Sequence, residues 1–175
     1  DGSPLTLIYN AFMVKVISGN RIGREGHLGI GCSAFVFNAK REKVLLLQRS
    51  DDGKWAVPGG AMMAGESLSE ACQREVLEET GLKVKVNRLL SVYTSPHRLL
   101  TYPDGNKWQP VNLHFEAEIV DGELAVNDEA TAFGFLSYEE STKLDMHGMD
   151  RMRVSSHHRT EAIQAPNSSS AAPRR

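Results

Sequence analysis

Hydrophobic and polar positions predict short strands along most of the chain. Residues 30–37 are small and apolar, residues 43–48 contain the run Val44-Leu-Leu-Leu47, and the polar stretch between them predicts a hairpin connection. Residues 111–120 alternate polar and apolar side chains, which is typical of a strand with one buried face. Further elements are predicted at residues 55–57, 82–93 and 133–138 as strands, and from about Glu139 as a short helix.

A longer helix is predicted from residue 68 to residue 80. Ser67 and Glu70 have the spacing of a capping box, in which each side chain accepts a hydrogen bond from the other residue's backbone N–H. Gly81 follows as the residue type that most often ends a helix, because glycine adopts the left-handed conformation without strain. The residues between these two signals include neither proline nor glycine, so nothing interrupts the helix.

Three glutamates share one face of this predicted helix. At about 100° per residue, Glu79 lies about 40° and Glu78 about −60° from Glu75 around the helix axis. Ala71 and Cys72 lie on the same face one turn earlier, so the acidic stripe continues into small side chains that suit close packing. Crowded carboxylates repel one another, and hard oxygen ligands of this kind bind Mg²⁺ or Mn²⁺. From the helix alone, an acidic face turned towards water remains the alternative.

The loop that precedes the helix contains Pro58-Gly59-Gly60 and Gly65. Glycines at such positions let a backbone carbonyl or amide approach a metal ion or a phosphate closely. The helix alone leaves open whether its acidic face binds a metal ion or faces water. The glycines of this loop favour the metal site.

Residues 60–82 resemble the Nudix box. Gly60 is followed after five residues by Glu66, and after seven more by Arg74-Glu-Val-Leu-Glu-Glu-Thr-Gly-Leu82, which matches every fixed position of that box. The resemblance extends over residues 28–140 or so. The segments that lead into the box also look like those of the family: Val44-Leu-Leu-Leu-Gln-Arg49, Gly53-Lys-Trp55 and Val57-Pro-Gly-Gly60.

This resemblance implies a Nudix fold, which is an α/β/α sandwich around a mixed β-sheet. It also implies a Mg²⁺-dependent pyrophosphohydrolase that cleaves a nucleoside diphosphate linked to another moiety. The substrate classes are nucleoside triphosphates, ADP-ribose, nucleotide sugars and dinucleoside polyphosphates. The alternative is a non-catalytic Nudix-fold module that binds a nucleotide as a sensor or scaffold. It is less favoured because degenerate members usually lose box glutamates, whereas this chain keeps all of them.

The same resemblance implies roles for individual residues. The implied ligands of Mg²⁺, with Mn²⁺ as an alternative ion, are Glu75, Glu78, Glu79 and the backbone carbonyl of Gly60. Arg74 looks like the residue that orients these carboxylates through a salt bridge. Glu66 is expected near the site, either as a ligand, directly or through water, or as a structural residue.

The catalytic base is less defined, because members of the family use either a glutamate of the box or one in a later loop. The catalytic candidates are therefore Glu78, Glu79 and Glu129, the last of which precedes the predicted strand at 133–138. A carboxylate at any of these positions can accept the proton of an attacking water. Two glutamates of the preceding strand compete with Glu129, namely Glu116 and Glu118.

Substrate contacts are predicted outside the box. Arg49 ends a predicted strand and could bind a phosphate or form a surface salt bridge, and Trp55 could stack on a base or belong to the core. Residues 94–110 are predicted as a long loop in which His97 and Arg98 could hold phosphate. A plain hairpin with a turn at residues 103–105 explains the same stretch.

Composition narrows the range of partners. The 175 residues include 20 Lys and Arg against 22 Asp and Glu, for a net charge of −2, so polymeric nucleic acid is not an expected partner. The apolar run at residues 4–18 is interrupted by polar side chains and is too short to span a membrane. Cys32 and Cys72 form neither a disulfide framework nor a zinc pattern, which favours the reducing cytoplasm.

The chain divides into three predicted parts. Residues 1–26 form an N-terminal extension, residues 27–154 the Nudix domain, and residues 155–175 a flexible tail poor in apolar residues. The extension is expected to pack on the domain or on a second copy of it, which leaves a homodimer open. His157 and His158 are expected to be solvated in the tail rather than to bind a metal.

Overall fold

The computed structural model describes residues 14–125 and 127–164, including side chains up to residue 158. The strands are β1 (Lys15–Ser18), β2 (His27–Val36), β3 (Val44–Arg49), β4 (Trp55–Ala56), β5 (Gly59–Ala61), β6 (Leu82–Thr94), β7 (Arg98–Thr101), β8 (Lys107–Gly122) and β9 (Ala130–Leu136). The helices are α1 (Leu68–Thr80), α2 (Tyr138–Ser141) and α3 (Gly148–Gln164), and a 3₁₀ turn spans Ile22–Glu25.

The strands form two sheets. The larger sheet is mixed and has the order β1-β7-β8-β2-β5, with β6 also paired to β8. β2 and β8 run parallel, whereas the other pairs in this sheet are antiparallel. The smaller sheet has the order β4-β3-β9 and is antiparallel. The antiparallel pairing of β2 with β5 places the glycines of residues 59 and 60 beside the middle of β2.

Successive side chains of β2 point to opposite faces of the larger sheet, and each face carries its own helix. On one face, Cys32 and Ala34 pack in a cluster with Ala71 and Val76 of α1. On the other face, Phe35 belongs to a second cluster that contains Val57 and, from α3, Val154. The result is the predicted sandwich of helices around a mixed sheet.

Both ends of α1 follow the predicted signals. The Ser67 side chain accepts a hydrogen bond from the Glu70 backbone N–H, and the Glu70 carboxylate accepts one from the Ser67 N–H at 2.7 Å. Gly81 adopts a left-handed conformation with φ of 73°, and its N–H donates to the Leu77 carbonyl. The predicted helix over residues 68–80 is therefore confirmed.

The prediction of a long loop at residues 94–110 is wrong, and the hairpin alternative is correct. β7 and β8 pair at this place, and Tyr102 N–H donates to the Asn106 carbonyl at 2.9 Å across the turn. Gly105 adopts φ of 87°, a conformation that a glycine takes without strain. The β7 strand in turn pairs with β1, so residues 15–18 of the predicted N-terminal extension form the outer strand of the large sheet.

The predicted start of a flexible tail at residue 155 is also wrong, because α3 continues to Gln164. Val154 is buried in the second cluster, and the His157 ring lies 5.1 Å from the ring of Phe35 and 5.2 Å from that of Phe37. These contacts hold one face of the helix on the sheet although the sequence is poor in aliphatic residues. The predictions for residues 1–13 and 165–175 lie outside the described residues. No helix in the described part of the chain is both long and apolar enough to cross a membrane.

Candidate active site

Arg74 on α1 lies at the centre of a cluster of charged side chains, some from the loop before the helix and some from the helix itself. Its guanidinium pairs with both oxygens of Glu66 through Nε and Nη2, and Nη2 also donates to the Ala61 carbonyl at 3.0 Å. Its Nη1 lies 2.8 Å from Glu75 Oε1 and 3.1 Å from Glu78 Oε2. One arginine therefore joins three carboxylates and fixes the loop before the helix to the helix itself. Both carboxylate oxygens of Glu66 accept hydrogen bonds from Arg74 in this arrangement.

Glu75 lies directly against the backbone of Gly60. A Cβ atom added at residue 60 would lie 2.5 Å from Glu75 Oε2, which is closer than real Cβ atoms come to other heavy atoms. Burial raises the pKa of Glu75, with the charges of Glu78 and Glu129 adding to the effect and Arg74 opposing it. A partly buried carboxylate is thus held in a cradle that only glycine leaves open.

Glu79 is the most strongly perturbed acid of the cluster. Its Oε2 accepts a hydrogen bond from the Gly59 backbone N–H at 2.7 Å. The pKa of Glu79 is raised to about 8, mainly by burial and also by the charges of Glu75 and Glu129, whereas the Gly59 N–H and Arg49 oppose the shift. Carboxylates that resist ionisation by mutual repulsion and burial favour a cation between them.

Glu129 reaches the same cluster from the loop between β8 and β9. Asn127 holds this loop on α1, because its Nδ2 donates to the Glu78 carbonyl at 3.0 Å and its Oδ1 accepts from the Glu129 N–H at 2.9 Å. Burial raises the pKa of Glu129, and the charges of Glu78 and Asp51 act in the same direction. The side chain of Glu78 is 54% exposed, so it forms the solvent side of the cluster.

A cleft opens between the two sheets beside this cluster. It is lined by Leu47, Arg49, Ala56, Val57, Gly59, Glu79, Asn127, Glu129 and Ala130. Arg49 is held in the cleft wall by Asp51, which accepts hydrogen bonds from Nε at 2.9 Å and from Nη2 at 2.6 Å. Ser50 between them fixes the strand end to the opposite loop through the carbonyls of Asp128 and Glu129. The cleft therefore has a guanidinium and two glutamates on an otherwise largely apolar lining.

The other predicted substrate residues are not brought to this cleft. Trp55 packs against the second core cluster and bonds through its backbone to Asp145. His97 accepts a hydrogen bond from the Arg21 N–H through Nδ1 at 3.0 Å, and Arg98 pairs with Ser18 at the start of β7. These residues belong to the packing of the core and of the N-terminal strand.

The two competitors of Glu129 also lie elsewhere in ion pairs of their own. Glu116 is nearly buried between Arg41 and Arg88, with N–O distances of 2.8 and 2.7 Å. Glu118 lies 3.6 Å from Lys85 Nζ on the adjacent strand. Of the three later glutamates, Glu129 is therefore the one that the fold places beside the box helix.

Sequence reasoning missed Asn127 and Asp51, which position Glu129 and Arg49. Asp and Asn are common in turns and loops, so both residues have an ordinary local explanation in the sequence. One signal for Asp51 was available: it follows Arg49 by two residues at the end of a strand, where a carboxylate can pair with the guanidinium. No comparable signal existed for Asn127, since its partner Glu78 is distant in sequence and meets it only in the fold.

The donors around Glu75 and Glu79 fit a hard divalent cation. They are carboxylate oxygens and the backbone of a glycine, which are the oxygen ligands that Mg²⁺ and Mn²⁺ prefer. Among the side chains that the structure describes, no three from His, Cys, Asp or Glu are already gathered around one point as a metal site. Glu75 and Glu78 are paired with Arg74 instead.

Comparisons with known proteins show which family this chain resembles. A family model described as the NUDIX domain matches residues 27–155. The ADP-ribose pyrophosphatase of Methanocaldococcus jannaschii is 38% identical over 108 residues, which are 60% of this chain and 60% of that relative. The nucleoside triphosphatase NudI of Escherichia fergusonii is 28% identical over 119 residues, covering 63% of this chain and 84% of the relative.

The solved structures support the fold. The crystal structure of the MutT protein from Methanosarcina mazei matches with a TM-score of 0.62 at 23% identity, covering 81% of this chain and 99% of that one. The match to the first curated relative spans only about 60% of its length. Since the NUDIX domain covers most of this chain, and its fold is the Nudix fold, the chain belongs to the Nudix family.

Proposed function

We propose that this protein is a Mg²⁺-dependent hydrolase that cleaves the phosphoric anhydride bond of a nucleoside diphosphate derivative. The observation that carries the proposal is the cluster of Glu75, Glu79 and Glu129, whose pKa values are all raised by burial and by the charges of neighbouring carboxylates. Perturbed acids gathered beside a cleft are typical of a catalytic site rather than of a solvated helix face.

Glu75, Glu78, Glu79 and the Gly60 carbonyl would hold the divalent ion. When bound, the ion supplies positive charge for the phosphate oxygens and lowers the pKa of a coordinated water. Arg74 donates a hydrogen bond to Glu75 and another to Glu78, and it thereby holds both carboxylates on the same side of the helix. The raised pKa of Glu79 falls when a cation lies beside it, so the carboxylate is ionised in the loaded site.

Glu129 is the proposed general base. In the part of the chain that the structure describes, its carboxylate has no hydrogen bond or ion pair, whereas Glu79 bonds to Gly59 and Glu75 to Arg74. A carboxylate with a raised pKa and free oxygens accepts a proton from water near neutral pH. Glu129 also lines the cleft, where the attacked phosphorus would lie.

Arg49 is the proposed phosphate contact. Its guanidinium is oriented by both oxygens of Asp51, and a guanidinium held in this way is arranged to bind phosphate oxygens. The proposed substrate class is a nucleoside diphosphate linked to another group. This class includes the ADP-ribose and nucleoside triphosphates for which the two curated relatives are named.

A substrate panel with Mg²⁺ tests this proposal. The purified chain is incubated with nucleoside triphosphates, ADP-ribose, nucleotide sugars and dinucleoside polyphosphates, and nucleoside monophosphate release is followed with and without EDTA. We expect at least one class to be hydrolysed only with the metal. Nucleotide binding without turnover across the panel would overturn the proposal in favour of the non-catalytic binding module.

A further inference from the structure

A buried ion pair lies on α3, on the side of the large sheet opposite the acidic helix. Asp150 Oδ1 and Arg153 Nη1 are 2.6 Å apart, and their side chains are only 9% and 8% exposed. Burying two charges costs desolvation energy that their attraction does not generally exceed, so such a pair contributes little to stability by itself. Asp150 and Arg153 each make a further contact with residues that lie nearer to the catalytic cleft.

Asp150 faces the segment that runs into the box. Burial raises the pKa of Asp150, whereas Arg153 and a hydrogen bond from the Val57 backbone N–H act in the opposite direction. The residues before α3 pair with the same segment, because Trp55 N–H donates to the Asp145 carbonyl at 2.8 Å and His147 N–H donates to the Trp55 carbonyl at 3.4 Å. The start of α3 and the residues before it therefore hold the backbone of residues 55–57.

Arg153 reaches the neighbouring strand. Its Nη2 donates to Asn112 Oδ1 at 2.7 Å, and the Ser33 hydroxyl donates to the same oxygen at 3.0 Å. Ser33 in turn packs against Gly59, where an added Cβ would lie 2.5 Å from the Ser33 Cα. The ion pair thus acts on Gly59 from two directions, through Val57 along the chain and through Ser33 beneath it.

Gly59 is the residue whose N–H holds Glu79 Oε2 at 2.7 Å. We propose that Asp150 and Arg153 are positioning residues that fix the Gly59 amide and, through it, the Glu79 carboxylate for a divalent cation. This inference rests on the proposed function and adds to it a contribution from the C-terminal helix. Outer residues that orient metal ligands in this way commonly change metal affinity by about 10- to 100-fold when removed.

Mn²⁺ binding, measured from the free-ion EPR signal, tests the inference without requiring turnover. Four proteins are compared: wild type, Asp150→Ala, Glu79→Gln and the double variant. We expect Asp150→Ala to bind Mn²⁺ about tenfold more weakly than wild type. In the Glu79→Gln background, Asp150→Ala should change the affinity by less than about twofold, because the residue through which it acts is already removed.

Two further variants separate positioning from general stability. Val154→Ala loosens the packing of α3 at a buried apolar position without touching the ion pair, and it should leave Mn²⁺ affinity unchanged. Asn112→Ala cuts the arm that joins Arg153 to Ser33 without changing the charge, and it should weaken Mn²⁺ binding in the same direction as Asp150→Ala. If Asp150→Ala does not fold, Asn112→Ala takes its place in the comparison with Glu79→Gln.

The outcomes are distinguishable. Wild-type affinity in Asp150→Ala and Asn112→Ala, with weak binding in Glu79→Gln, would overturn the inference and leave the proposed metal site standing. An equal loss from Asp150→Ala in both backgrounds, or a similar loss in Val154→Ala, would also overturn it. Wild-type affinity in Glu79→Gln would contradict the proposed metal ligand itself, and the positioning role with it.

Discussion

Gly60 and Glu75 are packed so closely that no side chain fits between them, with an added Cβ 2.5 Å from Glu75 Oε2. Gly60 lies on β5 and Glu75 on α1, so this contact fixes the distance between the glycine loop and the acidic helix. The contact explains why a glycine is needed at residue 60 even though its backbone is not in the left-handed region.

The substitution Gly60→Ala should therefore displace Glu75 from the loop. We expect turnover to fall by about 100-fold or more, since a misplacement of about 1 Å in a catalytic group can cost that much. Gly148→Ala is the matched control, because an added Cβ there meets no atom within 4 Å, and its activity should equal that of wild type. Steady-state kinetics of both variants measure the difference, and equal activity in Gly60→Ala would refute the role of this contact.

Glu79 should make the metal-free protein less stable as the pH rises. Its folded-state pKa of about 8 lies above the value of 4.5 for a freely solvated glutamate, so the folded state binds the extra proton between these two pH values. Its contribution to the free energy of unfolding is therefore present at low pH and is lost as the pH rises through this window. Glu79→Gln removes the titration, so in EDTA it should be more stable than wild type near pH 8 by a few kcal/mol, and no more stable near pH 4.

Urea unfolding at several pH values, in EDTA, measures this effect. The difference in unfolding free energy between Glu79→Gln and wild type should grow from pH 5 to pH 8. A pH-independent difference would show that the Glu79 carboxylate is not the group whose ionisation opposes folding.

Asn127 should control the position of Glu129. Asn127→Leu removes both the bond to the Glu78 carbonyl and the bond to the Glu129 N–H, so the loop loses its attachment to α1. We expect kcat to fall about 10- to 100-fold, which is part of the roughly 10²- to 10⁴-fold that a positioned general base contributes, while Mg²⁺ affinity stays near that of wild type. Kinetics as a function of Mg²⁺ concentration separate the two effects, and a loss of metal affinity with unchanged kcat would instead make Glu129 a ligand.

Local signals in the sequence are sufficient to predict the bounds of α1 and the glutamates that share one of its faces. The capping box at Ser67 and Glu70 and the terminating Gly81 involve neighbours within one or two turns, and such interactions are nearly independent of the rest of the fold. The hairpin at residues 102–106 was predicted only as an alternative, because a turn signal with few flanking β-branched residues also suits a loop. The sequence after residue 155 does not predict a helix, because α3 is held there by ring contacts of His157 rather than by an aliphatic stripe.

Contacts between distant parts of the chain were the part that sequence could not provide. Asp150 and Val57 are more than ninety positions apart, and Asn127 and Glu78 nearly fifty, so neither pair follows from periodicity or spacing. Glu129 was predicted as a candidate beside Glu116 and Glu118, and only the fold separates them by pairing the latter two with basic residues. From the sequence alone, a carboxylate that forms an ion pair on a strand is not distinguishable from one that lies unpaired in a loop.

The box glutamates are expected to bind the ion on which hydrolysis depends. The most direct measurement is the rate of Mg²⁺-dependent hydrolysis of the best panel substrate by wild type, Glu78→Gln and Glu79→Gln, with circular dichroism confirming that each variant is folded. We predict that both variants lose turnover by at least about 1,000-fold while remaining folded, because each lacks a ligand charge needed to hold the ion. Wild-type turnover in both folded variants would contradict the account.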